Sequence, residues 1–248
     1  MIDIHTHMLP GTDDGAEDLD EALRMAQAAY DSGTEYLVLT PHVNASPECP
    51  NYWSRAMFER FHAFRRAVHE ANIPLGIGYG AEVFYTDALP GLLSEGKLIP
   101  LAGSGCLLIE FAFDVSPQII RTALSQVSAA GLIPVLAHPE RYFLTARDPR
   151  AIYDWVQSGC IMQINKDSLL GVFGDAVQNA AMTLLSHGLV HCVASDTHHA
   201  AVRTPQLDTV YRMIEKKNGT RDAQSLLREN PLRMLHGQPL IRAKTVPF

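Results

Sequence analysis

The chain has 248 residues, 47% of them hydrophobic, and carries 20 Lys and Arg against 27 Asp and Glu, a formal net charge of −7. An acidic balance without a basic stripe excludes a nucleic-acid partner. No apolar run reaches the ~18 residues of a membrane-spanning helix, so no membrane insertion is expected. The opening residues include Asp3, His5, His7, Asp13 and Asp14. They have neither a basic n-region nor an apolar h-region, so no secretory signal is expected. Cys49, Cys106, Cys160 and Cys192 are scattered without zinc-like spacing, which fits reduced thiols in a cytoplasmic compartment.

In chain order, apolar β-branched runs alternate with segments of helical period. Ile2–His5 reads as a strand. Asp18 to Tyr30 reads as a helix opened by the capping box Asp18-x-x-Glu21, with Leu19, Leu23, Ala26 and Tyr30 as its expected apolar stripe. Tyr36 to Thr40 is a second strand and Trp53 to Ala71 a long helix. Pro74 to Val83 holds a third strand thinned by Gly76, Gly78 and Gly80. Residues 87–104 suggest a short helix and an irregular hairpin. Cys106 to Glu110 is a strand, followed by a helix over Ser116 to Ala130. Leu132 to Ala137 is a strand, followed by a helix near Pro149 to Ser158. Cys160 to Ile164 is a strand, with a helix near Asp175 to His187. Val190 to Ala194 is the last strand. Helices near Pro205 to Lys217 and Arg221 to Glu229, then a turn begun by Asn230-Pro231, complete the chain.

Seven apolar strands separated by helices imply a parallel sheet covered on its faces. A distorted (β/α)7 barrel of the TIM type, forming one domain over residues 1–248, is expected over an open sheet. The polar residues favour it, because they fall after the strands. His5 and His7 close the first; spaced i, i+2 on an extended segment, they point one way while Ile2 and Ile4 point the other. Asp14 follows in the next turn. Thr40-Pro41-His42 ends the second strand, Glu82 the third and Glu110 the fourth. His138 follows the fifth, with Arg141 behind it. Ser195-Asp196-Thr197-His198-His199 follows the seventh. In a parallel barrel these ends share one face. So many carboxylates and imidazoles there call for divalent cations. Imidazole with carboxylate suits Mn²⁺, Fe²⁺ or Zn²⁺ better than an ion selected by thiolate. His62, His69, His187 and His236 fall on helices or their ends and read as non-ligands; His191, inside a strand, reads as structural.

The motifs Ile2-Asp-Ile-His5-Thr-His7-Met-Leu-Pro-Gly-Thr-Asp-Asp14-Gly-Ala16, Thr40-Pro41-His42, Gly80-Ala-Glu82, Leu108-Ile-Glu110-Phe111, Ala137-His138-Pro-Glu-Arg141-Tyr142 and Ser195-Asp196-Thr-His198-His199 occur in this order along nearly the whole chain. With them the sequence resembles the PHP superfamily, and within it the bacterial capsule and exopolysaccharide tyrosine phosphatases of the CpsB/YwqE type. The Leu-Pro-Gly-x-Asp-Asp-Gly stretch is the specific part. The resemblance implies three divalent ions, manganese first, with Fe²⁺, Zn²⁺ or Mg²⁺ as alternatives. It assigns His5, His7, Glu82 and Asp196 to one ion. Glu82, Glu110 and His138 go to a second, and Asp14, His42 and His198 to a third. Arg141 and Arg203 are implied as phosphate-binding cations, and His199 stands beside them as a substrate contact or general acid. The implied reaction is hydrolysis of phosphotyrosine by a metal-activated hydroxide, with a bacterial tyrosine autokinase as protein substrate. Histidinol-phosphate hydrolysis, an amidohydrolase reaction and a non-catalytic metal-binding module are the alternatives.

One pattern competes. Cys49-Pro-Asn-Tyr-Trp-Ser-Arg55 fits the Cys-x5-Arg of thiolate-dependent tyrosine phosphatases. Such a loop wraps backbone N–H groups around phosphate and needs small residues. This one has Pro, Tyr and Trp and no Gly, so the thiolate mechanism is not expected; Tyr52 and Trp53 are expected at a pocket rim or a helix start.

Overall fold

The computed structural model describes residues 1–44 and 50–248, so Cys49 lies outside the described residues. The first half runs β1 (Ile2–Thr6), α1 (Leu19–Asp31), β2 (Tyr36–Leu39), β3 (His42–Val43), α2 (Arg55–Glu70), β4 (Gly76–Tyr79), β5 (Glu82–Phe84), α3 (Leu89–Ser94) and β6 (Cys106–Glu110). Next come α4 (Pro117–Ala129), β7 (Ile133–Ala137), α5 (Phe143–Arg147), α6 (Arg150–Gln157), β8 (Ile161–Asn165), α7 (Lys166–Leu169), α8 (Asp175–Ser186) and β9 (Cys192–Ala194). The chain ends in α9 (Asp208–Asn218), α10 (Thr220–Gln224), a π-type turn over Ser225–Glu229 and α11 (Asn230–Leu235). The expected helix over Arg221 to Glu229 is thus α10 plus this wider turn, and Asn230-Pro231 opens a short helix.

Every ladder is parallel. The strands form a three-stranded sheet, β1-β2-β4, and a six-stranded sheet, β3-β5-β6-β7-β8-β9. No closed sheet forms among the described residues. An isolated parallel bridge, Thr6 to Thr197, links the end of β1 to the segment after β9. Two of the expected seven strands are each divided in two. The divisions fall at Thr40-Pro41 and Gly80-Ala81, where proline has no N–H to donate and Glu82 N reaches back to Pro41 O at 3.2 Å. The glycines of β4 have a steric cause: a Cβ at Gly76 or Gly78 would meet the Tyr36 side chain at 2.5 Å.

Side chains alternate along the strands. Val38, Leu108, Val135, Ala137, Ile161, Cys192 and Ala194 join Ile2, Ile4, Leu101 and Met234 in one buried cluster. The intervening Leu107, Ile109, Leu136, Met162, Ile164 and Val193 pack with α4, α6, α8 and α9. The first alternation, carried on by two-residue steps, reaches Glu110, Gln163, Asn165 and Asp196. On these strands the polar site is therefore the continuation of an apolar cluster past the strand ends; in β1, whose register is irregular between Asp3 and Thr6, His5 and His7 instead alternate with Ile2 and Ile4.

Helix α1 corrects the expected stripe. Its Asp18 cap is present, accepting from Glu21 N at 2.8 Å. The buried face is Ala22, Met25, Ala26 and Ala29, while Leu19 and Tyr30 are 44% and 40% exposed. The alanines and Met25 share a buried cluster with Leu37 and Leu39 of β2 and Met57, Phe61, Phe64 and Val68 of α2, which leaves Leu19 and Tyr30 outside it. Among the described residues no helix is long and apolar enough to cross a membrane.

Candidate metal centre

Eight of the nine expected donors stand at a strand end or just beyond it, and Asp14 lies in the turn between β1 and α1. His5 lies in β1 and His7 one residue past it. His42 and Glu82 open β3 and β5, directly opposite each other in the ladder. Glu110 closes β6. His138 follows β7 in a left-handed conformation, φ 34°, and Asp196 follows β9 at φ 50°. Such backbone is strained for non-glycine residues and concentrates at functional sites. Seven of the nine are buried; His42 is partly exposed and the Asp14 side chain is 66% exposed.

Three groups of donor atoms result, each within 4.8 Å: His5, His7, Glu82 and Asp196; His7, Asp14, His42 and His198; and His42, Glu82 and Glu110. His138 Nε2 approaches Glu82 Oε1 at 3.0 Å and Glu110 Oε2 at 3.8 Å. The first expected set is reproduced, His7 joins the group of Asp14, His42 and His198, and His42 stands in the place expected of His138 beside Glu82 and Glu110. His42 faces two ways, with Nε2 3.4 Å from Asp14 Oδ1 and Nδ1 2.7 Å from Glu110 Oε1.

The protonation logic of the first group is decisive. His5 Nδ1 lies 2.9 Å from Gln163 Oε1, and His7 Nδ1 2.8 Å from Asp13 Oδ2. Both partners are acceptors, so each imidazole carries its proton on Nδ1. Each neutral ring then turns a bare Nε2 lone pair inward, and the two Nε2 atoms are 3.2 Å apart. Glu82 Oε2 lies 3.1 Å from one and 3.2 Å from the other. Among the described residues neither Glu82 Oε2 nor His42 Nδ1 makes a well-directed hydrogen bond, although both are buried at ion-pair distance from their neighbours. Lone pairs crowded this way repel unless a cation sits among them or both rings are protonated. Burial works against the charged form of His5, but Glu82 and Asp196 outweigh it and raise its pKa. Burial likewise opposes the His7 charge, which Asp13 and the other carboxylates hold well above the ordinary range. His42 rises to about 9 against burial and the His7 charge, through Glu82 and Glu110. The Glu82 carboxyl, though buried, is held well below its usual range by His5 and His42. The site thus demands positive charge, and a divalent ion supplies it with the same donor atoms.

Asp196 divides the site. Its Oδ1 faces His5 and His7 Nε2, both at 3.5 Å. Its Oδ2 faces Arg203 Nη2 at 2.5 Å, Arg141 Nη1 at 3.6 Å and the Asn165 amide at 2.5 Å. Both expected cations therefore stand at the rim of the cluster, and Arg203 is itself left-handed at φ 51°. His199 does not join them: its Nδ1 lies 3.4 Å from Glu21 Oε1 of α1. Arg55 of the Cys-x5-Arg pattern pairs with Glu59 at 2.8 Å on the surface of α2, 92% exposed. Trp53 packs against Tyr79, ring centroids 4.6 Å apart, so it belongs to the core beside α2. Tyr52 donates to Asn44 Oδ1 at 3.0 Å.

Three supporting residues escaped the sequence reading. Asp13, beside Asp14, accepts from His7 Nδ1, His42 N and Gly15 N. Gln163 and Asn165 belong to β8, the strand without a His, Asp or Glu at its end; a relay from His5 to Gln163 to Asn165 to Asp196 gives that strand its place. A glutamine in the apolar run Cys160 to Ile164 was the available signal. His191 is structural as expected: its Nδ1 accepts from Met162 N at 3.0 Å, and burial lowers its pKa to about 4.

The family model for capsular polysaccharide synthesis, CpsB/CapC, matches residues 1–236. The chain belongs to the CpsB/CapC family. It is 32% identical to the tyrosine-protein phosphatase YwqE of Bacillus subtilis over the full length of both chains. It is 35% identical to the tyrosine-protein phosphatase CpsB of Streptococcus pneumoniae over 96% of this chain and 99% of that one. Its fold matches a crystal structure from work on YwqE and CpsB, described as unique metal-dependent tyrosine phosphatases, with a TM-score of 0.92 at 32% identity, covering 100% of this chain and 99% of that one. A lactonase from Listeria monocytogenes, at 13% identity and a TM-score of 0.56, shares the fold alone.

Proposed function

We propose that this chain is a metal-dependent phosphoric monoester hydrolase that removes phosphate from phosphotyrosine in a protein. The observation that carries the reading is the pair of inward Nε2 atoms of His5 and His7, 3.2 Å apart and backed by Glu82. We infer that the nine donors hold three divalent ions, manganese foremost. His5, His7, Glu82 and Asp196 take the first, Glu82, Glu110 and His138 the second, and Asp14, His42 and His198 the third, with His42 Nδ1 directed towards the second. We also infer that the two sheets and the Thr6–Thr197 bridge together make a distorted seven-stranded barrel in a single domain.

Bound divalent ions would lower the pKa of water towards neutrality and neutralise charge on phosphoryl oxygens. The protein's own groups do the rest. Asp13 and Gln163 keep the protons of His7 and His5 on Nδ1, so that Nε2 stays a donor of electrons. Arg141 and Arg203 offer guanidinium N–H groups to phosphate oxygens, a geometry that suits a planar fork. Asp196 holds Arg203 through one oxygen while facing the histidines with the other. A phenol with a pKa of about 10 leaves without a strong general acid, and His199, engaged with Glu21, is not needed as one. The physiological substrate on this reading is a bacterial tyrosine autokinase of capsule or exopolysaccharide synthesis, met in the cytoplasm. The test is turnover of a phosphotyrosine peptide and of histidinol phosphate by the metal-loaded chain. Hydrolysis of the peptide that chelator abolishes and Cys49→Ser leaves intact supports the reading. Preference for histidinol phosphate moves the chain to another phosphoesterase, no hydrolysis of either marks a metal-binding module, and loss with Cys49→Ser while metal remains bound restores the thiolate mechanism.

A further inference from the structure

Arg141 is held in an unusual way. It lies in the turn after β7, and the sheet order places β6 and β8 on either side of β7. The loop after β6 supplies Phe113, and the loop between α7 and α8, after β8, supplies Phe173. The Arg141 guanidinium carbon is 4.6 Å from the Phe113 ring centre and 4.5 Å from that of Phe173. Phe173 also reaches the second arginine, with Arg203 Cζ 6.0 Å from its centre. Two neighbouring strands thus each send one aromatic ring to the cation borne by the strand between them.

We propose that Phe113 and Phe173 are positioning residues for phosphate: together they clamp the Arg141 guanidinium at the rim of the donor cluster while leaving its N–H groups free to bind phosphoryl oxygens. The proposal rests on the phosphatase reading above. Among the described residues the Arg141 side chain has one polar contact, Asp196 Oδ2 at 3.6 Å, too long for a hydrogen bond. A carboxylate at hydrogen-bond distance would fix the side chain but consume donors. Aromatic faces attract the cation through their quadrupole and consume none. The Phe113 loop is itself fixed: its carbonyl accepts from Phe143 N at 2.9 Å, and its ring lies 6.4 Å from both the His138 and Tyr142 rings. Phe113 nevertheless remains 41% exposed, a placement that packing alone does not explain. The arrangement also explains why the cation is arginine, whose flat head stacks on a ring where an ammonium does so less well.

The experiment uses the full chain loaded with Mn²⁺ and measures the Kd of inorganic phosphate by calorimetry, with KM and kcat for p-nitrophenyl phosphate alongside. Phe113→Leu and Phe173→Leu keep apolar bulk but remove the ring. Each is expected to weaken phosphate binding by about threefold to thirtyfold, the range spanned by single cation–π contacts, and to raise KM more than it lowers kcat. Phe113→Trp should restore binding. In an Arg141→Lys background the Leu substitutions should have little further effect, because the contact they remove is already lost. The proposal is overturned if the Leu variants bind phosphate as the unaltered chain does, or if they cost the same factor with and without Arg141. Phosphate affinity decides the clamp by itself; absence of aryl phosphate turnover in the unaltered chain counts against the phosphatase reading instead.

Discussion

Asp13 gives the sharpest test of how the centre is built. Its carboxylate touches no candidate metal position in the three donor groups, yet it accepts three hydrogen bonds: 2.8 Å from His7 Nδ1, 2.8 Å from His42 N and 3.1 Å from Gly15 N. Replacing it by Ala removes the acceptor that keeps the His7 proton on Nδ1 and leaves two backbone N–H groups without their partner. Supporting residues of this kind cost about 10-fold to 100-fold in metal affinity, or about 1.4 to 2.7 kcal/mol. Three bonds on one carboxylate place Asp13→Ala at the upper end. Asp13→Asn should cost about tenfold: turned so that its oxygen meets His7 and His42, it still serves both, but its amide then opposes Gly15 N. Manganese titration followed by calorimetry separates the two, and thermal melting with and without metal shows that the variants fold. An Ala variant that binds manganese as tightly as the unaltered chain would falsify the role given to Asp13.

Gln163→Leu removes the acceptor on His5 Nδ1 and breaks the relay to Asp196; metal affinity should fall by about tenfold, with circular dichroism unchanged. Gly15→Ala should be costly, because a Cβ there would lie 1.9 Å from His7 O. Backbone must move, and a loss of about 1 to 3 kcal/mol is expected, visible as a melting temperature lower by about 2–4 °C per kcal/mol. A variant that melts as before would mean the turn has slack. In the metal-free chain His42 sits at about 9, above its ordinary 6.5. Its stabilising contribution is complete below about pH 6.5 and is lost as the pH rises through about 9, and His5 and His7 act in the same sense. Glu82 and Asp196, held below their ordinary values, contribute above about pH 4 and lose that contribution as the pH falls. Melting without metal should therefore weaken from pH 6.5 to 9. Manganese affinity should rise over the same range as protons cease to compete; a melting temperature that climbs with pH in the metal-free chain contradicts this.

Eight of the nine expected donors, all but His138, fall in the three donor groups, because parallel strands deliver their ends to one face and those ends carry residue types able to hold a metal. The first strand illustrates it: His5 and His7 at a spacing of two already pointed together. The strand boundaries were less legible. Apolar runs show that a strand exists, but the divisions at Pro41 and after Gly80 arise where the ladder changes partners, and a run such as Tyr36 to Thr40 contains no mark of that. Helix α1 failed for a related reason. Hydrophobicity selected Leu19 and Tyr30, whereas packing against β2 and α2 selected the alanines.

What the sequence determined by itself was the alternation of strand and helix and the chemical identity of the candidate ligating side chains, since both follow from local periodicity and residue type. The tertiary structure alone decided which atom of each imidazole faces inward. That choice depends on Asp13 for His7 and on Gln163, 158 positions away, for His5. It also decided that His199 turns to Glu21 and that Phe113 and Phe173 meet on Arg141. These are contacts between distant loops, and no spacing in the chain encodes them; they exist because the packed sheet brings neighbouring strand ends together.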